Sequence, residues 1–261
     1  MRALNIAATG MLAQQLNVEV ISNNIANLNT TGFKQQRAEF QDLIYENQRN
    51  VGAASSDNNT IVPVGVQTGT GVKAAAVYRI TQQGSLLSTN NPLDVAIQGR
   101  GYFQILQPDG TTAYSRAGSF QLSPTGEIVT ADGFVVQPGI TMPNNTTAIT
   151  INASGQVLAQ VAGQTQPQTV GQIQLANFAN EAGLEELGNN LLAETTASGS
   201  PTTGNPGSTV FGQIQQGFLE TSNVNVVSEI TNLITAQRAY EMNSKVIQSA
   251  DQMSQTLSQI Q

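Results

Sequence analysis

The acidic residues of this chain are its candidates for catalytic chemistry. The sequence contains no histidine and no cysteine, which excludes a Ser-His-Asp triad, a thiolate nucleophile, a disulfide and a zinc site built from these side chains. Two carboxylates can hydrolyse a glycosidic bond, and the candidate pairs are Asp94 with Asp109 and Glu185 with Glu186. Adjacent residues rarely face one substrate, and turn aspartates such as Asp109 have an ordinary structural role. Tryptophan is also absent, so we predict no enzyme and no catalytic, cofactor-binding or metal-binding residue.

A glycine-rich segment offers a second kind of chemistry. Residues Gly69–Ala74 match the letters of a dinucleotide-binding fingerprint, G-x-G-x-x-A. The fingerprint binds a dinucleotide when a strand precedes it and a helix follows it. Here a proline-containing loop precedes the glycines and a strand-like alternation follows them. We therefore predict no cofactor.

The charge distribution narrows the possible partners. Charged residues make up only 10% of the chain, against roughly 25% in an ordinary soluble domain, and the net charge is −7. No lysine or arginine occurs between residues 117 and 237, so the cationic footprint of a nucleic-acid-binding protein is missing. No apolar run approaches the roughly 18 residues of a membrane-spanning helix. We expect no nucleic acid, no direct membrane insertion and no cleaved signal peptide.

The N-terminal end has the pattern of a coiled-coil helix. Apolar residues recur in alternating steps of three and four from residue 4 to residue 28, which is the a/d spacing of such a helix. Gly32 marks the expected stop, because glycine tolerates the left-handed conformation after a helix. The large residues of this N-terminal seam are Leu4, Met11, Val18, Ile21, Ile25 and Leu28.

A second helical pattern occupies the C-terminal end. Asn223 or Asn225 is expected to cap its start. The apolar positions follow the same spacing and then resume one step out of register, which resembles a stutter. The residues of this C-terminal seam are Val226, Ile230, Leu233 and Tyr240, followed by Val246, Met253, Leu257 and Ile260.

The middle of the chain is typical of β structure. Short apolar runs, beginning with the alternation at Val72–Ile80, are separated by turn signals such as Pro124-Thr125-Gly126. The sequence predicts an α+β fold, with long terminal helices forming a coiled coil and a central all-β barrel or sandwich. The predicted parts are an N-terminal coiled-coil helix (1–32), a linker and extended arm (33–71), the β domain (72–218) and a C-terminal coiled-coil helix (219–261).

The narrow seams indicate that neither terminal helix buries enough apolar surface to be stable on its own. Ordering a helix costs about 1–2 kcal/mol of backbone entropy per residue, and a single seam buries few large side chains. Asparagine and glutamine on the other faces can bond to neighbours without burying a charge. We infer that the two ends assemble with other molecules.

Motifs at both ends resemble the signatures of bacterial flagellar basal-body rod and hook proteins. These motifs are Ser22–Lys34, Leu219–Val227 and Gln237–Lys245. Within that family, the segments Asn91–Phe103, Ala113–Phe120 and the extra stretch Glu46–Val64 are most similar to distal-rod members. The motif residues are Asn23, Asn24, Ala26, Asn27, Gly32 and Phe33 at the N-terminal end, and Ser222, Asn223, Asn225, Gln237, Arg238 and Glu241 at the C-terminal end.

The resemblance implies a structural function. Family members are exported unfolded by the flagellar type III export apparatus and polymerise into a hollow helical tube that conducts other exported subunits. Their terminal helices pair around the channel, and the β domain lies outside. The tube would be the distal rod of the basal body, which spans the periplasm and transmits torque from motor to hook. The implied partners are further copies of the chain, the proximal rod proteins, the hook protein and the P and L ring proteins.

Two alternatives remain open at this point. The chain could be a proximal-rod or hook paralogue, because these proteins share the terminal motifs. In a different class, it could be a secreted carbohydrate-binding β protein whose helical ends are incidental.

Overall fold

The computed structural model describes residues 2–49 and 64–260, with side chains described as far as residue 256. Helix α1 (Arg2–Ala26) and helix α2 (Val226–Ile260) flank a β-rich middle, which confirms the predicted α+β class with helical ends. Among the described residues, neither helix combines the length and the apolarity needed to cross a membrane. Leu257 and Ile260 of the C-terminal seam lie outside the described side chains.

The chain divides into two compact units. The helical unit contains the described parts of Met1–Ile25, Gln36–Tyr78 and Asn225–Gln261, and the β unit contains Ala26–Gln35 and Arg79–Val224. The helical unit holds α1, α2 and the strands β1 (Gln36–Asp42), β2 (Tyr45–Arg49), β3 (Val66–Gly69) and β4 (Val72–Arg79).

Strands β1 to β4 form a ribbon. β1 pairs with β4, and β2 pairs antiparallel with β3. The sequence placed β4 at the start of the central β domain, whereas the structure pairs it with β1. Alternation identifies a strand but does not identify its partner, because pairing is decided by tertiary context. The glycine-rich segment Gly69–Ala74 lies in this ribbon with no helix after it, as its context predicts.

Helix α1 ends at Ala26, before the predicted stop. A turn follows at once, in which the backbone amide and the hydroxyl of Thr30 both donate to Asn27. Gly32 has the expected left-handed conformation, with φ +71°, but it lies beyond the turn that follows the helix and does not itself end the helix. Leu28 of the N-terminal seam therefore lies beyond the helix.

Twenty strands are described in all, and sixteen of them belong to the β unit. They are β5 (Leu86–Ser88), β6 (Val95–Gln98), β7 (Tyr102–Leu106), β8 (Thr112–Ser115), β9 (Gln121–Leu122), β10 (Ile128–Val129), β11 (Val135–Val136), β12 (Thr146–Ile151), β13 (Gln156–Val161), β14 (Gln168–Gln172), β15 (Leu175–Asn177), β16 (Glu185–Gly188), β17 (Leu191–Ala193), β18 (Thr202–Gly204), β19 (Gln213–Gln216) and β20 (Phe218–Glu220).

The largest sheet of the β unit is open. Its strand order is β16-β17-β8-β7-β11-β10-β9, and β15 joins β7 to β18. The end strands β16 and β9 do not pair with each other, so the closed barrel, one of the two predicted alternatives, is not present among the described residues. Smaller pairings are β12-β13-β14, β19 with β6, and β20 with β5.

Strand β7 lies at the centre of the β unit because both of its faces are covered. Phe103 packs edge-to-face on Phe120, with ring centroids 5.1 Å apart, in the main apolar core. On the other face, Tyr102 and Tyr114 both pack against Phe178. Strands covered on two faces are mainly apolar rather than alternating, and β7 fits this except at the buried Gln104.

Candidate functional site

The signature residue Asn24 joins three segments of the helical unit. Its side-chain amide donates to the Gln36 carbonyl and accepts from the Gln36 amide, both at 2.8 Å. The same Nδ2 donates to Glu229 Oε2 at 3.0 Å. The amide of Asn24 therefore acts like a backbone peptide that pairs with the start of β1, and its second donor holds the first turn of α2.

A second contact shows that α1 and α2 run antiparallel. A Cβ atom on Gly10 would lie 2.8 Å from Asn243 Nδ2. Gly10 precedes Asn24 by 14 residues, and Asn243 follows Glu229 by 14 residues. Equal spacing in opposite directions means that the helices stay side by side over about 21 Å, at 1.5 Å per residue.

Asn225 caps the start of α2. Its Oδ1 accepts from the amides of Val227 and Ser228 at 3.1 and 3.2 Å, which confirms one of the two predicted caps. Glu229 lies in the first turn, where a carboxylate interacts favourably with the helix dipole. Its burial is offset by that position and by the bond from Asn24.

The side of α2 that is buried within the chain follows one continuous heptad phase. Glu229, Ala236 and Ala250 are buried, and Leu233, Asn243 and Ile247 are half-buried. The spacing from residue 229 to residue 250 shows no step out of register, so the buried side has no stutter. Polar residues enter this line because α1 presents Asn24 and Gly10 to it.

Most of the predicted C-terminal seam lies on other faces of α2 and is exposed. Leu233 is half-buried. The exposed members and their fractional exposures are Val226 36%, Ile230 45%, Tyr240 43%, Val246 48% and Met253 60%. These large apolar side chains are not covered by the described part of their own chain.

The predicted N-terminal residues are more enclosed. Ile21 and Asn24 are buried, and the half-buried residues are Leu4, Met11, Val18, Ile25, Asn27, Leu28, Gly32 and Phe33. Asn23 and Ala26 are exposed. The N-terminal seam is thus partly covered within the chain, whereas the C-terminal seam is largely open.

A groove within the helical unit brings residues of helix α1, including Val18 of the N-terminal seam, together with residues of the C-terminal motif Gln237–Lys245. It has a volume of about 370 Å³ and is lined by Val18, Gln237, Tyr240 and Glu241, with Gln15 and Glu19. Of the three motif residues named in this segment, Gln237 and Glu241 line the groove, and Arg238 is exposed. The groove is shallow and mainly apolar, which suits the packing of an apolar side chain from another molecule.

One residue from each of three motif segments, Ser22–Lys34, Ala113–Phe120 and Leu219–Val227, meets the others inside the β unit around a buried carboxylate. Glu220 Oε1 accepts from Lys34 Nζ at 2.5 Å and from the Gly84 amide at 3.0 Å. Glu220 Oε2 accepts from Arg116 Nε at 2.8 Å. The side chains of Lys34 and Arg116 are only 8% and 7% exposed, and that of Glu220 is fully buried. We call Lys34, Arg116 and Glu220 the signature ion cluster.

The cluster lowers the pKa values of two of its groups, Glu220 and Lys34. Burial alone would raise the pKa of Glu220, but Arg116, Lys34 and the Gly84 amide outweigh it, so the pKa lies below its usual value. Desolvation lowers the pKa of Lys34, and the attraction of Glu220 offsets this only in part. The carboxylate is therefore strongly held in its charged form.

The guanidinium of Arg116 also fixes the backbone around it. It donates to the carbonyl oxygens of Gly99, at 2.5 Å, and of Gly101. The Gly32 amide donates to the Glu220 carbonyl at 2.8 Å, and a Cβ on Gly32 would lie 2.8 Å from backbone atoms of Arg116. Glycine at this position thus permits the signature turn to approach the cluster.

Asn223 ties the same segments together with its amide. Its Oδ1 accepts from the Gln35 amide at 2.7 Å, and its Nδ2 donates to the carbonyls of Ile80 and Gln82, both at 2.9 Å. Ser222 accepts from the Val224 amide at 3.3 Å. The asparagines of both signatures therefore substitute for backbone groups where no regular strand pairing is available.

Sequence reasoning did not single out Lys34, Arg116 or Glu220 as site residues. All three lie within the quoted motif segments, yet they are separated by more than 80 positions from one another. A usable signal was the presence of single charges in motifs otherwise rich in neutral residues. Buried charges need partners, so isolated charges of opposite sign in such motifs are candidates for pairing.

The carboxylates considered for hydrolysis have other roles. Asp109 accepts from the amide and the hydroxyl of Thr111 within its own turn. Asp94 accepts from Asn91, and Glu186 lies 3.5 Å from Arg79. Within the described residues, no group of three or more acidic side chains is arranged to hold a metal ion.

Three family models match successive parts of the chain. The model described as flagella basal body rod protein matches residues 4–34. The flagellar hook protein FlgE/F/G D1 domain matches residues 96–159, and the flagellar basal body rod FlgEFG protein C-terminal model matches residues 215–260. The matched parts contain nearly all of α1, the strands from β6 into β13, strand β20 and the whole of α2.

Whole-length relatives carry related names. A flagellar basal-body rod protein FlgG of Caulobacter vibrioides is 63% identical over 100% of this chain and 99% of its own length. That of Agrobacterium fabrum is 54% identical over 99% of this chain and 98% of its own length. The flagellar hook-basal body complex protein FlhP of Bacillus subtilis is 28% identical over 97% of each.

Proposed function

This chain belongs to the flagellar basal-body rod protein family, and from that premise we propose that its copies join through their terminal helices into a hollow helical rod. It is a structural subunit of the flagellar distal rod and not an enzyme. The much higher identity to the FlgG relatives, 63% against 28% for FlhP, favours the distal-rod assignment over a paralogue. The full-length match also favours it over a carbohydrate-binding protein.

The exposed apolar residues of α2 carry this proposal. Val226, Ile230, Tyr240, Val246 and Met253 are each more than a third exposed. Apolar surface of this extent, repeated along one helix, marks a contact with another molecule. Copies of the same chain supply the complementary faces, since each also presents the groove lined by Val18 and Tyr240 described above.

The finer architecture forms part of the same proposal. The antiparallel helices would continue as a coiled coil in the assembled rod, lining a channel, and the β unit would form a sandwich-like outer layer. The asparagine- and glutamine-rich helix faces suit a water-filled channel because they are polar without carrying repeated like charge.

The partners and the location are inferred from the family. The rod would join proximal rod proteins at one end and the hook protein at the other, and turn within the P and L rings. It would span the periplasm, receive its subunits from the flagellar export apparatus and transmit torque. The extra stretch Glu46–Val64 would act as a brace between neighbouring subunits. It falls mostly on residues 50–63, which lie outside the described residues, between strands β2 and β3.

Polymerisation of purified subunits tests the proposal. We expect Val246→Glu to abolish tubes seen by electron microscopy, because it places a charge in the proposed contact. Val246 is 48% exposed, so the variant should retain the wild-type circular dichroism spectrum. Gln248→Glu, at an exposed polar position that lies about 200° around the same helix from Val246, is the matched control and should polymerise. Normal tubes from Val246→Glu would contradict the seam assignment.

A further inference from the structure

The basic residues of the β unit are concentrated at one place. This unit contains four of them: Lys34, Arg79, Arg100 and Arg116. Lys34, Arg100 and Arg116 line a cavity of about 350 Å³. Arg79 donates to the backbone oxygen of Glu181, another lining residue, at 3.3 Å. The rest of the unit has no positive side chain.

The cavity keeps an excess of positive charge. Glu220 is bound by both Lys34 and Arg116, so one buried carboxylate faces two buried cations. Arg100 is balanced by Glu181, which lies 3.0 Å from it. The groups at the cavity therefore sum to one positive charge. The Arg100 side chain is 66% exposed, which makes the cavity accessible to a partner.

Acidic turns lie at the opposite end of the same strands. Strand β7 starts at the cavity with Tyr102 and runs five residues, or about 17 Å, to Leu106. The turn that follows holds Asp109, and β8 returns from it toward Arg116. The turn before β11 holds Asp132 and lies at this same far end, because Val135 pairs with Leu106. Both aspartates are exposed.

We propose that the acidic turns of one copy dock at the basic cavity of the next copy in the rod. The idea rests on the proposed function, since it requires that copies polymerise. A contact between two different patches is heterologous, and when its rotation does not close into a ring it builds an open helical assembly rather than a two-fold dimer. The β unit has nine acidic residues against four basic ones, so neighbouring units repel unless unlike patches face each other.

Removal of the turn charges tests this docking. Asp109→Asn and Asp132→Asn should each raise the critical concentration for polymerisation by about 1.5- to 5-fold at low salt, the range of an exposed ion pair. The double variant should also lose much of the salt dependence of assembly. Glu185→Gln, an exposed acid on the edge strand β16, removes the same charge elsewhere and should leave the critical concentration unchanged.

Cross-linking provides a second readout. The chain has no cysteine, so Ala131→Cys with Gln82→Cys places one thiol beside Asp132 and another at the cavity. A short bis-maleimide should produce a ladder of covalent oligomers from assembled protein. The single variants Ala131→Cys and Gln82→Cys each lack one of the two thiols of the proposed contact; they are the controls and should give no covalent dimer.

The outcomes separate the docking from the rod assignment. If the wild-type protein forms tubes, but the double aspartate variant assembles normally and no ladder appears, the docking is wrong and the rod assignment stands. If the wild-type protein forms no tubes, the proposed function and the docking both fail.

Discussion

Replacement of Glu220 by glutamine isolates the role of the signature ion cluster. The carboxylate accepts hydrogen bonds from Lys34, Arg116 and the Gly84 amide at 2.5, 2.8 and 3.0 Å. Glutamine has nearly the same shape but only one accepting oxygen, and its amide hydrogens would face one of the two cations. The variant therefore leaves two buried positive charges with no counter-ion.

The expected cost is large because all three side chains are buried. Removal of one partner from a buried charge pair costs about 3–5 kcal/mol. For a unit of this size, that corresponds to a fall in Tm of about 6–20 °C. The double variant Lys34→Met/Glu220→Gln should be more stable than Glu220→Gln alone, since it removes one of the uncompensated cations.

Urea unfolding gives the measurement. The chain has no tryptophan, so near-ultraviolet circular dichroism of the packed tyrosines Tyr102 and Tyr114 can report on the β unit. Glu185→Gln is the control for loss of one exposed carboxylate and should unfold like the wild type. A Glu220→Gln variant within about 1 kcal/mol of the wild type would refute the reasoning.

Three further outcomes follow from the same contacts. Gly32→Ala should lower the free energy of unfolding by about 2–4 kcal/mol, because φ is +71° and the new Cβ would lie 2.8 Å from backbone; Gly110→Ala, with φ +84° and open space, should cost only the strain. Asn24→Asp places a carboxylate beside Glu229, so amide exchange across the end of α1 should accelerate; unchanged exchange would contradict the contact. The folded-state pKa of Glu220 lies below its ordinary value of 4.5, so its contribution to stability is complete above that value and is lost as the pH falls through the folded-state pKa. Urea midpoints measured down through this acidic range should therefore fall less steeply for Glu220→Gln than for the wild type.

Helix positions could be predicted from the sequence because they depend on local periodicity and capping. The a/d spacing identified both helices, and the alternative of Asn225 as a cap was correct. The side of α2 that faces α1 was harder to predict, since an apolar stripe was expected to face the partner. The contact is instead made by Asn24 and Gly10 of α1. Asn24 binds Glu229 of α2, and Gly10 lies against Asn243.

The signature ion cluster could not be predicted from local pattern. Lys34, Arg116 and Glu220 come from three distant segments, and only the tertiary fold brings them together. The same holds for strand β4, whose alternation was clear but whose pairing with β1 was not. Long-range pairings depend on the packing of the whole unit, which a single sequence does not reveal.

The bond between Lys34 and Glu220 spans 186 positions, and β20 pairs with β5 over 130 to 134 positions. A ribosome releases the polypeptide from its N-terminus, so these partners meet only when about the last sixth of the chain is still to be made. Long loops must close before such contacts stabilise anything, which slows folding. The signature ion cluster therefore cannot form until most of the polypeptide has been synthesised, and it is among the last contacts that a nascent β unit can complete.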